Sequence, residues 1–341
     1  MYQPDFNYSD RIVRLLARTQ AAREIILNTH VPPAWERRLQ IKNLFRLVYH
    51  ATSLDENRLS IRQVTKLVNG QDIFGDETDK KQVLNFLELN EYLQSLENEE
   101  ISEEMILTVH KIAMKGIVPE DEIGRYRTTV AEGFMEPERV RYCIRDLIEW
   151  IYSDEAAEIL PALKAGIVHY ELYRMHPFEK ASGTIARSIS GYILGKDFKE
   201  AKELFTIEEF FNQRKKDYFE SLEGSNGKEP DINKWLEYYL YALALKISRV
   251  ENAVLNISRD HGYIGKYIQI GLKDRQIKGI KFAREMGKIT NKEYQKLCDL
   301  GVSTSKRDLR ELVNKNIFVQ VGKTGRGTYY KLRHDHLDEL I

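Results

Sequence analysis

The chain has 341 residues, 42% of them hydrophobic, and its 52 basic and 52 acidic side chains cancel to a formal net charge of zero. That composition belongs to a folded, soluble protein with room for two domains and a small third. No run approaches the ~18 apolar residues of a membrane span, and the start MYQPDFNYSD has no apolar h-region, so neither a membrane partner nor a signal peptide is expected. The two cysteines, Cys143 and Cys298, lie far apart with no metal-ligand spacing, which suits a reducing cytoplasm.

Sparse glycine and proline with abundant Leu, Ile, Glu, Lys, Arg and Ala favour helix, so the fold class is mainly α. In chain order, residues 9–29 have a helical period, Pro32-Pro33 breaks it, and residues 34–50 resume it. After the polar stretch ATSLDENRLS, Ser60 caps a helix IRQVTKLVNG, and two amphipathic helices follow at 79–96 and 102–115. GRYRTTVAEGF, residues 124–134, alternates and is rich in Thr, Val and Tyr, which reads as a short hairpin or flap. Pro137 opens a helix through Tyr152. The run PALKAGIVHYELYRM, 161–175, is apolar enough to be the buried central helix. A turn leads to a helix at 184–194, then come helices at 207–222 and 232–258.

From His261 the style changes. A helix over DRQIKGIKFAREMG precedes ITNKEYQKLCDLGV, a helix ending at Gly301, and STSKRDLRELVNKN, a helix with Ser303 as its N-cap. The strand-like runs IFVQV and TYYKL are joined by GKTGRG. Three helices and a hairpin make the order of a winged helix-turn-helix. The expected organisation is therefore an N-terminal helical region at 1–100, a core at 101–258 and this module at 261–341. The zero net charge conceals a split: residues 261–341 hold 17 Lys/Arg against 9 Asp/Glu, a net of +8, which leaves −8 on the rest. A basic module on an acidic body points to a polyanion such as duplex DNA. Ser303, Thr304, Lys306, Arg307 and Arg310 fall at the start and along one side of the recognition-type helix, and Lys323 and Arg326 at the wing tip. The competing reading is a protein-docking or dimerisation module with a solvated basic face, so a homodimer stands beside DNA as an expected partner.

Chemistry concentrates in MHPFEKASGTIAR, 175–187. A helix N-terminus preceded by small residues is an anion site, because free N–H groups and the positive dipole end favour phosphate. Ala181, Ser182 and Gly183 let phosphate approach, and Arg187 lies one turn into the helix. His176 has a pKa suited to proton transfer near neutrality. Together they read as phosphoryl or nucleotidyl transfer. The same residues also fit an ordinary turn with His176 capping the central helix, and spacing alone leaves both open.

The stretch resembles the Fic-family signature HPFx(D/E)GNGRxxR. TVHKIAMKG (108–116), GRYRTTV (124–130), RKKDYFESLEGSNGKEPDINKWLEYYL (214–240) and KRDLRELVNKNIFVQVGKTGRGTYY also resemble segments of that family, and ATSLDENRLS resembles its inhibitory motif (S/T)xxxE(G/N) through Thr52, Glu56 and Asn57. The resemblance implies a helical Fic core with a flap carrying Arg127, Thr128 and Thr129, His176 as general base, and transfer of AMP from ATP to a Ser, Thr or Tyr hydroxyl of a target protein. It also implies that Glu56 pairs with Arg187 and blocks the γ-phosphate, a pairing equally readable as a structural ion pair. The departures weaken the activity. Lys180 replaces the acidic Mg²⁺ ligand, and an ammonium repels the metal. Ala181-Ser182-Gly183 replaces Gly-Asn-Gly, and Thr184 replaces the first arginine; Arg187 is retained. Three functions follow: an AMP-transferring enzyme of reduced or altered activity, a Fic fold that binds nucleotide or partner without transfer, and a DNA-binding regulator with the Fic core as sensor or dimeriser.

Overall fold

The computed structural model describes residues 2–96, 99–223, 231–269, 271–322 and 327–333. They fall into two compact units, Met1–Ile257 and Ser258–Ile341.

The first unit is helical among its described residues. Helix α1 (Asp10–Asn28) starts where Ser9 Oγ accepts the Ile12 N–H, and α2 (Pro33–Leu54) starts on a proline at its first position. A capping box of Ser60 and Gln63 opens α3 (Ile61–Val68). Asp76 caps α4 (Glu77–Ser95) and Ser102 caps α5 (Glu103–Met114). Helices α6 (Pro137–Ile151), α7 (Asp154–Ala157), α8 (Pro161–Met175) and α9 (Ser182–Phe198) follow. Each cap satisfies N–H groups that the first helical turn leaves without partners. The expected helix at 207–222 is two, α10 (Glu208–Gln213) and α11 (Lys215–Glu223), broken at Arg214, whose N–H bonds the Phe210 and Phe211 carbonyls while its guanidinium lies over the Phe210 ring. Helix α12 (Ile232–Gln269) runs beyond the expected end at 258.

As the sequence implies, α8 is the buried centre. Val168, Leu172 and Met175 are buried in the same core as Ile12 and Leu16 of α1, Leu54 of α2 and Leu89 of α4, so the N-terminal region packs within this unit. Gly166 lets α12 come close: a Cβ there would lie 3.0 Å from Leu236 and Tyr239, and Trp235 Nε1 donates to the Gly166 carbonyl at 2.8 Å. The hairpin expected at 124–134 does not form. Those residues are turns and irregular chain without ladder pairing, and the Thr129 carbonyl bonds the Arg127 guanidinium.

The second unit has α13 (Asp274–Met286), β1 (Ile289–Thr290), α14 (Asn291–Cys298), α15 (Val302–Asn314), β2 (Phe318–Val321) and β3 (Tyr329–Leu332). The antiparallel sheet has the order β1–β3–β2, with Tyr330 opposite Ile289 and Gln320. Two sequence-based boundaries shift. Helix α14 stops at Cys298 because Asp299 turns left-handed (φ 50°), and the N-cap of α15 is Gly301 in place of Ser303. Leu309 and Leu312 pack inward with Tyr294 and Phe318. Asp308 is fully buried, held by Arg275 at 2.5 Å and by the Tyr294 hydroxyl at 3.3 Å, which ties the three helices together.

Candidate active site

The turn between α8 and α9 is held shut by its own atoms. Helix α8 ends because His176 adopts the left-handed conformation (φ 45°), its N–H bonding the Tyr173 carbonyl. Ser182 Oγ accepts the Phe178 N–H and donates to the Phe178 carbonyl, both at 3.0 Å, so one hydroxyl staples the loop. Ala181 is left-handed as well (φ 66°), a conformation that glycine adopts without the steric cost an alanine carries. Phe178 is fully buried and stacks on His110 with ring centroids 3.9 Å apart.

His176 is half-buried under the Phe134 ring, with centroids 4.1 Å apart. Burial and then the nearby Arg127 lower its pKa, while Glu179 opposes them. Burial and Arg127 thus favour the neutral imidazole, and its buried Nδ1 has no partner among the described residues.

The three flap residues of the sequence reading differ in role. Arg127 is 3% exposed and donates from Nε to the His176 carbonyl at 2.6 Å, from Nη1 to Thr129 at 2.7 Å and from Nη2 to the carbonyls of Met135 and Met175. Its N–H bonds the Pro177 carbonyl. It fixes the corner that carries His176. Thr129 donates its hydroxyl and its N–H to the Glu179 carboxylate. Thr128 is exposed. Those bonds hold the Glu179 pKa below the usual carboxylate range.

Across the loop, Gly183 is hemmed in, since a Cβ there would lie 3.1 Å from Arg187 Nη1. Arg187 is 4% exposed, and its Nη2 contacts both carboxylate oxygens of Asp55 at 2.7 and 2.6 Å. Thr184 adds a hydroxyl to the same carboxylate at 2.5 Å. Burial acts against the Arg187 charge, and Asp55 more than restores it, so the pKa is raised. Here the sequence reading is corrected: the carboxylate that meets Arg187 belongs to Asp55, not Glu56. Asp55 is the C-cap of α2, and the next residue swings left-handed (φ 66°), which leaves Glu56 exposed. Thr52 and Asn57 secure this turn, the first through its carbonyl to the Asn57 N–H, the second by its amide to Asp79 and Gln82.

Lys180 is exposed beside the loop. His110, absent from the residues singled out by sequence, accepts the Gly124 N–H on Nδ1 at 2.9 Å and so joins the flap to α5. Burial lowers its pKa to about 4, opposed by a hydrogen bond to the Lys180 backbone. Its place in TVHKIAMKG was the one signal for it. Asp55 and Phe134 had none beyond neighbouring the residues expected.

In the second unit, Ser303, Lys306, Arg307 and Arg310 are exposed and Thr304 is half-buried. Lys323 and Arg326 lie outside the described residues.

Residues 100–194 match the Fic/DOC family. Over this stretch the chain is similar to a Fic domain. The stretch contains α5, the flap, α6, α7, α8, the loop and most of α9. The protein adenylyltransferase fic-1 of Caenorhabditis elegans is 29% identical over 170 residues, covering 46% of this chain and 33% of that protein. The protein adenylyltransferase Fic of Nematostella vectensis is 25% identical over 161 residues, covering 44% and 37%. The match thus spans about a third of these relatives' length. A crystal structure of a Fic family protein from Desulfovibrio desulfuricans G20 is similar at a TM-score of 0.62 and 22% identity over 97% of this chain and 98% of that one. Fic-1 from C. elegans has a TM-score of 0.62 over 73% of each chain, also at 22% identity. At these identities the likeness is one of fold.

Proposed function

We propose that residues 1–257 bind a nucleoside triphosphate at the turn 179–184 and are a protein adenylyltransferase of weakened or altered activity. One observation carries this reading. A neutral, half-buried His176 sits at a fixed left-handed corner, and the next helix begins six residues later with a buried Arg187 one turn in. Neutral imidazole is the form that accepts a proton. In the proposed step a target hydroxyl gives its proton to His176, its oxygen bonds the α-phosphorus, the bond from that phosphorus to the bridging oxygen breaks, and pyrophosphate leaves. The first N–H groups of α9 would take phosphate oxygens.

The residues present do not fit Mg²⁺ as the family's acidic ligand would hold it. Lys180 is a cation at that position, and the neighbouring Glu179 carboxylate is engaged by Thr129. Lys180 supplies positive charge to the phosphates in its place. Three further features keep the resting site closed: Phe134 over His176, Asp55 on Arg187, and Thr184 on Asp55.

Incubation of the full chain with ATP labelled at the α-phosphate tests this. Weak labelling of the chain or of a lysate protein is expected. It should be lost in His176→Ala and raised in a variant combining Lys180→Asp, Ser182→Asn and Thr184→Arg. Labelling that survives His176→Ala, or none from either chain with the fold intact, ends the transferase reading.

A second reading concerns residues 261–341, whose net charge is +8. With Lys306, Arg307 and Arg310 exposed on α15, they read as a winged helix that contacts duplex DNA. Binding that weakens with salt and with Lys306→Ala and Arg307→Ala supports it; no retardation of any duplex at low salt leaves a docking module.

A further inference from the structure

Arg187 faces the loop through Nη2, but its Nε and the neighbouring Ser188 hydroxyl are not used there. Arg187 Nε and Ser188 Oγ are buried with no hydrogen-bond partner among the described residues, on residues 4% and 8% exposed. A buried donor left without an acceptor is costly, so two on adjacent residues call for acceptors. Both residues line a cavity of about 440 Å³ between α2, α4 and α9. Leu44, Leu47, Phe86 and Leu93 give it apolar walls, and Gly191 and Gly195, four apart on α9, line it without side chains of their own. Residues 176–184 take no part in it, so it is separate from the turn read as the nucleotide site. Its volume is in the range of pockets that hold one small molecule, roughly 300–1,000 Å³.

Charge narrows the occupant. The Arg187 cation is already met by both oxygens of Asp55. Glu91, Glu203 and Glu208 line the cavity against Lys196, so an anion meets an excess of carboxylates there. We propose that this cavity binds an uncharged, largely apolar small molecule whose carbonyl-type acceptors take the hydrogen bonds that Arg187 Nε and Ser188 Oγ are placed to donate. Amides, lactones and ketones have this chemistry; carboxylates do not. The wall formed by α2 belongs to the helix that ends at Asp55, so the occupant touches both partners of the Arg187 pair's supporting helices.

The test is binding, which needs no transfer activity and so fails or succeeds independently of the enzyme reading. The full chain is titrated with neutral aryl amides and ketones, N-butylbenzamide first, and with 4-butylbenzoate as the anionic counterpart, by ligand-observed NMR. Saturable binding of neutral members is expected. It should weaken about fivefold in Ser188→Ala, the loss of one hydrogen bond, and disappear in Leu47→Trp, which fills the cavity. Leu44→Phe serves in its place if circular dichroism shows that Leu47→Trp is unfolded. No binding across the neutral panel, tighter binding of 4-butylbenzoate, or binding indifferent to cavity filling overturns the proposal.

Discussion

Two buried arginines flank the loop, and they are held in opposite ways. Arg127 is satisfied by backbone carbonyls of the flap and of the His176 corner. Arg187 is paired through Nη2 with one side-chain carboxylate, at the C-cap of a different helix. Backbone carbonyls cannot be titrated, and they move only if the chain moves. A carboxylate at a helix C-cap can leave by a change in one turn. The first arginine is therefore part of the frame, and the second is part of a latch that nucleotide would have to open.

The largest expected effect lies on the frame. Arg127→Ala strands several buried carbonyls at once, and should destabilise residues 1–257 by about 3 kcal/mol or more. All three tryptophans, Trp35, Trp150 and Trp235, lie in this unit, so their fluorescence in urea reads it without the second unit. A loss under about 1 kcal/mol would mean water replaces the guanidinium, and the frame is weaker than its geometry.

His110 sharpens the same side of the comparison. Its folded pKa of about 4 lies below the ordinary value of 6.5, so between those values the unfolded chain binds the extra proton. The neutral ring's contribution is complete above pH 6.5 and declines as pH falls toward 4, by about 2 kcal/mol at pH 5. Comparing His110→Asn with the parent between pH 7 and 5 isolates it from the other histidines. Equal pH slopes would show that the ring between Gly124 and the loop is not held neutral.

The latch predicts a smaller number with a sharper contrast. Asp55→Ala should tighten ATP binding about tenfold, near 1.4 kcal/mol, by removing the competitor for Arg187. Glu56→Gly should leave it unchanged, because that side chain is exposed. Calorimetry on both variants decides it. The reverse pattern would return the pair to Glu56, and no change in either would leave a purely structural ion pair.

The same contrast explains what the sequence disclosed. The helices α8 and α9 and the turn between them were readable, because an apolar run, a His-Pro pair and small residues at a helix start are local signals. Leu309 and Leu312 of α15, three apart and so on one helical face, are both buried. What escaped was set by contacts across the chain. The flap looked like a hairpin because its Thr and Val alternate, yet no strand forms there and Arg127 takes the Thr129 carbonyl. Glu56 was preferred to Asp55 because the motif names it, but a single left-handed residue moved the register by one. His110 carries no local pattern that says what it will touch.

Ala181 gives the smallest effect and the most direct reading of the loop. It sits at φ 66°, where an L-residue costs roughly 1–2 kcal/mol relative to glycine. Glycine gives back part of that gain through the entropy of the unfolded chain, about 0.4–1 kcal/mol. It also loses the methyl that packs at the edge of the core. The net expectation for Ala181→Gly is a gain of about 0.5 kcal/mol in unfolding free energy, read by the same tryptophan signal. The Ser182 staple is untouched by the change, so the loop should keep its shape. A loss of more than about 1 kcal/mol would mean that the Ala181 methyl contact outweighs the backbone strain, and that this loop is packed for rigidity in a way the glycine of the Fic signature is not.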